Sequence, residues 1–149
     1  MILQFQNVGC EAAPEHDRGL QEASFALDGG ELLLVRVAAG QRRTPVADLA
    51  QGVLEPEAGT VTFLDEDWRG LTPDRAAAQR GRIGRVFGDG GWLSNLDVDE
   101  NITLAQRYHT SRAEHEILEE ARQLGRAFGF ESLPAGRPHT FDRDTLRRA

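Results

Sequence analysis

Glu31-Leu32-Leu33-Leu34-Val35-Arg36-Val37, running into Ala38-Ala39-Gly40-Gln41-Arg42-Arg43-Thr44-Pro45, is the stretch on which the fold turns. Its first seven residues form an apolar run of strand length, the kind expected for a strand covered on both faces. Residues 38–45 read as an irregular loop. Pro45 suits the first turn of a helix, where its missing N–H is not needed, and Val46, Leu49, Ala50 and Val53 then recur at helical spacing. A buried strand that enters a glycine-containing loop and leaves it as a helix is where a phosphate-binding loop sits, because unpaired N–H groups there face an anion.

Working outward, residues 2–8 alternate as a strand with one buried face, and Ser24-Phe25-Ala26-Leu27 is a second short strand before the turn Asp28-Gly29-Gly30. Downstream, Gly52 to Gly59 closes the first helix and Thr60-Val61-Thr62-Phe63-Leu64 reads as another strand. Thr72-Pro73-Asp74 is a cap-and-proline opening for a helix over 72–80. Ile83 to Phe87 is a short strand, 88–91 a glycine-rich loop, and Asp97 to Tyr108 a helix. The clearest helix runs from about Ser111 to Phe128. It carries Ile117, Leu118, Ala121, Leu124 and Phe128 on one side, with Glu114, Glu116, Glu119 and Glu120 elsewhere. This order is α/β with some antiparallel β near the N-terminus.

Composition bounds the chemistry. The chain has 149 residues, and its 17 basic side chains against 24 acidic ones give a net charge of −7. All 17 are arginines, so no lysine can act as Schiff base, general base or compact phosphate clamp. The acidic balance argues against a broad nucleic-acid surface. One cysteine, Cys10, forms no intrachain disulfide, and no leader-like or membrane-spanning apolar run is present, so the expected location is cytoplasmic.

The surrounding text gives the loop its meaning. Asn7-Val8, Ala23-Ser24-Phe25-Ala26-Leu27, Gly30-Glu31-Leu32-Leu33-Leu34-Val35 and Gly52-Val53-Leu54-Glu55-Pro56-Glu57-Ala58-Gly59 occur in order. Arg82-Ile83-Gly84-Arg85-Val86-Phe87 and Trp92-Leu93-Ser94-Asn95-Leu96-Asp97-Val98-Asp99-Glu100-Asn101-Ile102 follow. Together they resemble the nucleotide-binding domain of ATP-binding cassette (ABC) transporters, over nearly all of the chain. The 92–102 segment is also similar to the lipid-trafficking branch of that family. The resemblance implies a P-loop NTPase-like α/β core with an N-terminal antiparallel β portion and a helical subdomain, incomplete at the C-terminus. It implies one domain, with a core portion over 1–90 and a helical portion over 91–149.

Placed residue by residue, the resemblance also implies a degenerate Walker A loop. Nine residues before Gly52 stands Arg43 where the family has its lysine. The phosphate-loop positions are then Gly40, Gln41, Arg42, Arg43 and Thr44, with Val37 and Arg42 where glycines belong. Those glycines supply φ freedom and close backbone approach to phosphate, and a planar guanidinium replaces a compact ammonium poorly. Gly9 to Ala13 holds no aromatic to stack on adenine, and Gly88 stands where the family has a glutamine. The signature loop falls at Phe141-Asp142-Arg143-Asp144-Thr145, where two aspartates would repel a phosphate. The family's downstream carboxylate pair and histidine have no counterpart before Ala149.

The expectation is therefore no catalytic residue, no metal site and no working cofactor, with ATP and magnesium implied only by family resemblance. Arg42 and Arg43 at a helix start retain the means to hold an anion. His16, His109, His115 and His139 lack metal-ligand spacing, Glu114 to Glu120 is a solvated helix face, and Arg80, Arg82 and Arg85 are surface residues. Trp92 and Leu93 stand where the family meets the coupling helix of a membrane subunit. The implied partners are such a subunit, a second nucleotide-binding domain or a second copy. No nucleic acid is implied, and membrane contact comes only through a partner, at the periphery of the inner membrane. Residues 31–37 are expected to lack a neighbour on one side, which calls for dimerisation, a partner strand or a local rearrangement.

Overall fold

The computed structural model describes residues 1–39, 43–87 and 91–149, arranged in two compact units, Met1–Ile83 and Gly84–Ala149. In the first unit, β1 (Leu3–Cys10) lies between β2 (Leu20–Leu27) and β3 (Ala58–Phe63), and β4 (Glu66–Asp67) completes the sheet in the order β2-β1-β3-β4. All three pairings are antiparallel. β1 does not keep a strict period of two. Its register against β2 shifts between Phe5 and Val8, and Asn7 adopts φ 49°. This bulge turns Phe5, Val8 and Cys10 to the same face, where all three are buried.

The bulge also dictates a glycine on the neighbouring strand. Gly59 has φ +76°, and a Cβ there would stand 2.2 Å from the Gln6 carbonyl oxygen. Phe5 stacks on Phe25 at 4.3 Å between ring centroids. The helix α1 (Val46–Ala50) lays Leu49, wholly buried, onto this face beside Val61. Burial of one such side chain contributes about 1.5–3 kcal/mol.

Just past the end of α1, Gly52 takes φ +60°, and a Cβ there would lie 2.4 Å from the Trp68 ring. Trp68 stacks on Phe63 at 5.9 Å, and the Arg80 guanidinium covers it at 5.6 Å. The same guanidinium donates to the carbonyl oxygens of Gln51 and Gly52, at 3.0 and 2.8 Å. Arg80, expected at the surface, is thus a half-buried cap on the last carbonyls of α1. It comes from α2 (Pro73–Arg80), whose first turn is closed by Thr72 Oγ1 accepting from the Arg75 N–H at 3.4 Å. Glu66 receives side-chain hydrogen bonds from Arg75 and Gln79, joining β4 to α2.

The second unit is helical: α3 (Val98–His109), α4 (Glu114–Ala127) and α5 (Arg143–Arg148). The Asp97 N–H donates to Glu100 at 2.7 Å, closing the first turn of α3. The chain after α4 returns to that turn, where Val98 and Asp99 donate N–H groups to Gly136 and Pro134. On α4 the buried stripe is Ile117, Ala121 and Gly125. Leu124 and Phe128, expected on that stripe, are exposed instead. Leu133 packs close against Gly125, where a Cβ would stand 2.9 Å from it. Glu114, Glu119 and Glu120 face solvent and pair with Arg107, Arg126 and Arg112.

Two expected strands are absent. Residues 31–37 and 83–87 lie in no ladder, and Leu32, Leu34 and Val86 are 94%, 80% and 95% exposed. An extended apolar segment becomes a strand only when a neighbour takes its N–H and C=O groups. Among the described residues neither segment joins a ladder, the Glu31 and Ile83 N–H groups closing turns onto Asp28 and Arg80, and every strand that pairs belongs to the antiparallel sheet. The architecture is α/β, with its antiparallel layer formed and residues 31–37 and 83–87 outside any strand.

Candidate functional site

Of the phosphate-loop positions, Gly40, Gln41 and Arg42 lie outside the described residues, as does Gly88. Arg43 is exposed and Thr44 half-buried, immediately before the buried Pro45 that begins α1. The loop joining β1 to β2 is fastened to this point. The Arg43 N–H donates to Asp17 Oδ2 at 2.9 Å, and the Asp17 N–H donates back to the Arg43 carbonyl at 3.0 Å. One residue earlier, His16 Nε2 meets Asp48 Oδ2 of α1 at 2.8 Å, with both side chains largely buried. A backbone N–H at this position of a phosphate loop would face the anion. Here it faces the chain's own carboxylate.

The electrostatics follow from that contact. An entering phosphate would have to displace the Asp17 carboxylate and approach Asp48 as well, and both oppose it. α1 has five residues, so little helix dipole is available to compensate. His16 and Asp17 could not be picked out from the sequence, because they sit in a loop without a motif. Only the tertiary contacts show Asp17 on Arg43 and His16 on Asp48.

The second candidate position is built around Asn101 on α3. Its side-chain oxygen accepts the Leu93 N–H at 2.8 Å. Its amide donates to the carbonyl oxygens of Leu93, Leu96 and Asp97, at 3.1, 3.3 and 2.9 Å. One side chain thereby folds residues 93–97 into a fixed loop at the start of the helix. Arg137 adds an ion pair to Asp97 at 3.3 Å and a hydrogen bond to the Asn95 carbonyl. The loop presents Leu93, 47% exposed, with Trp92 half-buried beside it.

At the signature-loop positions, Asp142 caps α5. It accepts the Thr145 N–H at 2.8 Å and the Thr145 hydroxyl at 2.7 Å. These hydrogen bonds, the backbone one foremost, hold its carboxyl below the ordinary 3.8. Asp142 is therefore an anion fixed in place. Among the described residues, no group of three or more His, Cys, Asp or Glu side chains is placed to hold a metal.

No protein-family model matches the chain. Its backbone does match a solved fold: the dimeric structure of MJ0796, a bacterial ABC transporter cassette, superposes with a TM-score of 0.78 over 99% of this chain. The chain has the fold of an ABC nucleotide-binding domain. Sequence identity to that structure is 16%, and 66% of its length is covered. The phosphonates import ATP-binding protein PhnC of Treponema denticola is 28% identical over 102 residues, 68% of this chain and 40% of that protein. The molybdate/tungstate import ATP-binding protein WtpC of Thermococcus kodakarensis is 22% identical over 148 residues, 99% of this chain and 42% of that protein. The chain is similar to these two ABC ATP-binding proteins and spans about two fifths of their length.

Within the ABC fold, Gly52 and Gly59 keep backbone conformations with positive φ, and Asn101 ties down its loop. Those roles are structural. Arg43 and Asp142, expected from the sequence to stand at phosphate-contacting positions, are each engaged with their own chain, Arg43 with Asp17 and Asp142 with Thr145.

Proposed function

We propose that this chain is an ABC ATP-binding-domain-like subunit with a degenerate nucleotide site, a pseudo-ATPase that does not hydrolyse ATP and works by docking to transporter components through Trp92 and Leu93. The observation that carries the reading is the Asp17 carboxylate on the Arg43 N–H. A phosphate loop whose amide is occupied by an internal anion, and whose lysine is an arginine, lacks both the cradle and the compact charge that hold a triphosphate. Gly40, Gln41, Arg42, Arg43 and Thr44 are then an inherited connection, and neither ATP nor magnesium is a working cofactor. The exposed Leu93 beside Trp92, on a loop pinned by Asn101, supports docking, since a preformed aromatic and aliphatic anchor contributes most when it need not be ordered on binding.

The partner on this reading is an ABC membrane subunit or a second nucleotide-binding domain, and the chain is cytoplasmic, held at the inner membrane only through that partner. No described helix is long and apolar enough to cross a membrane. Isothermal titration with Mg-ATP, ADP and inorganic phosphate at millimolar concentration is expected to give no saturable heat, and saturation by any of them overturns the degenerate-site reading. Trp92→Ala is expected to release a co-purified membrane subunit, and its retention overturns the docking reading.

A second reading has its own support. The relatives are ATP-binding proteins of which this chain spans about two fifths. On that reading an ATPase site is completed by a longer product or by a partner chain. Thermal stabilisation by Mg-ATP, appearing only when such a chain is added, is the result that favours it.

A further inference from the structure

The helical unit contains a cavity of about 1010 Å³, at the upper end of the range of about 300–1,000 Å³ typical of small-molecule sites. Phe87, Trp92 and Tyr108 line it. Tyr108 is the chain's single tyrosine, and Trp92 is one of its two tryptophans. The three rings come from separate parts of the unit: Phe87 and Trp92 precede α3, and Tyr108 stands in its last turn. Ile102, Leu104 and Leu146 add aliphatic surface to the same wall.

Two of these rings are held by neighbours that also line the cavity. The Arg85 guanidinium lies over the Phe87 ring at 4.8 Å, and a Cβ on Gly91, which has φ +86°, would stand 2.7 Å from that ring. The His109 ring meets Tyr108 edge-on, at 4.9 Å between centroids and 85° between planes. Asn101 fixes the loop that begins one residue after Trp92. Rings fixed in advance cost little to order when a ligand arrives. The charged groups call for no ion. Arg85, Arg143 and Arg147 each have a partner within the chain, and among the described residues no aspartate or glutamate lines the cavity. What remains unsatisfied is apolar: Phe87 and Tyr108 stand 53% and 82% exposed, and exposed apolar area is unfavourable in proportion to its extent.

We propose that this cavity binds an uncharged, flat aromatic molecule of two or three rings. A flat ring system can stack on, or meet edge-on, the rings of Phe87, Trp92 and Tyr108, and such pairs gain stability beyond the area they bury. An alkyl group of the same size gains only the area. A charged group would have to leave water for a wall whose guanidinium groups are already engaged, which opposes it. The site is separate from the phosphate-loop positions and requires no membrane subunit, so it stands whether or not the docking reading holds.

Titration calorimetry on the full chain at neutral pH tests it with a matched series: 2-naphthol, decahydro-2-naphthol, naphthalene-2-sulfonate and 2-naphthyltrimethylammonium. Saturable one-site binding of 2-naphthol is expected, with the saturated analogue about tenfold weaker for want of ring contacts. The sulfonate and the ammonium compound should both bind more weakly than the naphthol. N-phenyl-1-naphthylamine, uncharged and one ring larger, should bind about fivefold more tightly because it buries more apolar area.

Phe87→Leu, which keeps an apolar side chain and removes a ring, should weaken 2-naphthol about fivefold. Ala105→Trp, which fills the cavity from an exposed helical position, should weaken it at least tenfold with unchanged helical circular dichroism. Both variants leave Trp92 and Leu93 in place, so their outcome is independent of the docking test. Four results would overturn the proposal: no saturable binding of 2-naphthol, equal binding of its saturated analogue, tighter binding of either charged compound, or unchanged affinity in both variants.

Discussion

Single residues in this chain hold positions by charge and by backbone conformation. Asp142 and Glu66 are carboxyls whose titration is pulled down, Asp142 by the Thr145 backbone and hydroxyl, Glu66 by the hydrogen bond from Arg75 and then that from Gln79. Both fold with a depressed value, so each stabilises its contact above the ordinary value, 3.8 for Asp142 and 4.5 for Glu66, and loses it as pH falls through the folded one. A carbon-13 titration of the two side chains should place both midpoints below those values, with the Thr145 amide exchanging faster only at the acid end. Asp17→Ala removes the acceptor from the Arg43 amide, and that amide should then exchange at least tenfold faster with a stability loss of about 1 kcal/mol. Gly59→Ala should cost upward of about 2 kcal/mol by urea unfolding, because a left-handed φ and two carbonyl oxygens of the bulge leave no room for a methyl group. The glycine was legible in the sequence as part of a familiar run. The carboxylate on Arg43 was not, since nothing local links position 17 to position 43.

At the scale of elements, the helices were legible because their signals are local. Thr72-Pro73, Asp97 and the Ile117–Ala121 spacing each carry their own capping or periodicity. α4 shows the limit of that reading: periodicity marks the side of a helix that faces inward, but the return of Leu133 against Gly125 sets how wide the buried stripe is. The 93–97 loop depends on one side chain, and Asn101→Ala takes the acceptor from the Leu93 N–H and the side-chain donor from the Leu96 carbonyl, while the Leu93 and Asp97 carbonyls keep the backbone N–H groups of Leu96 and Asn101. A loss of about 2 kcal/mol is expected, with Leu93 amide exchange rising toward that of an open loop. In the sheet, Phe5→Ala should cost about 3–5 kcal/mol, since the ring is 1% exposed and stacked on Phe25. Residues 31–37 read as a buried strand from composition alone. They are exposed because a strand is completed by its neighbour, and its own residues do not include one.

On the scale of the whole molecule, the unpaired apolar segments set the solution behaviour. Leu32 and Leu34 present nearly full side chains to water on a segment that joins no ladder among the described residues, the arrangement that favours addition of another strand. Light scattering should show concentration-dependent association, reduced by Leu32→Lys with Leu34→Lys, and a stable monomer across the micromolar range would contradict this. The sequence by itself determined the helices and their starts, the resemblance to ABC ATP-binding domains, and the arginine in place of lysine at position 43, because capping, turn chemistry and residue identity are local properties. The tertiary structure alone decided what fills the phosphate-loop position, which arginine caps α1, which apolar runs stay open, and where arginines and aromatic rings converge on one cavity. Each of these is a contact between residues far apart in the chain, and its energy exists only after the backbone has brought them together.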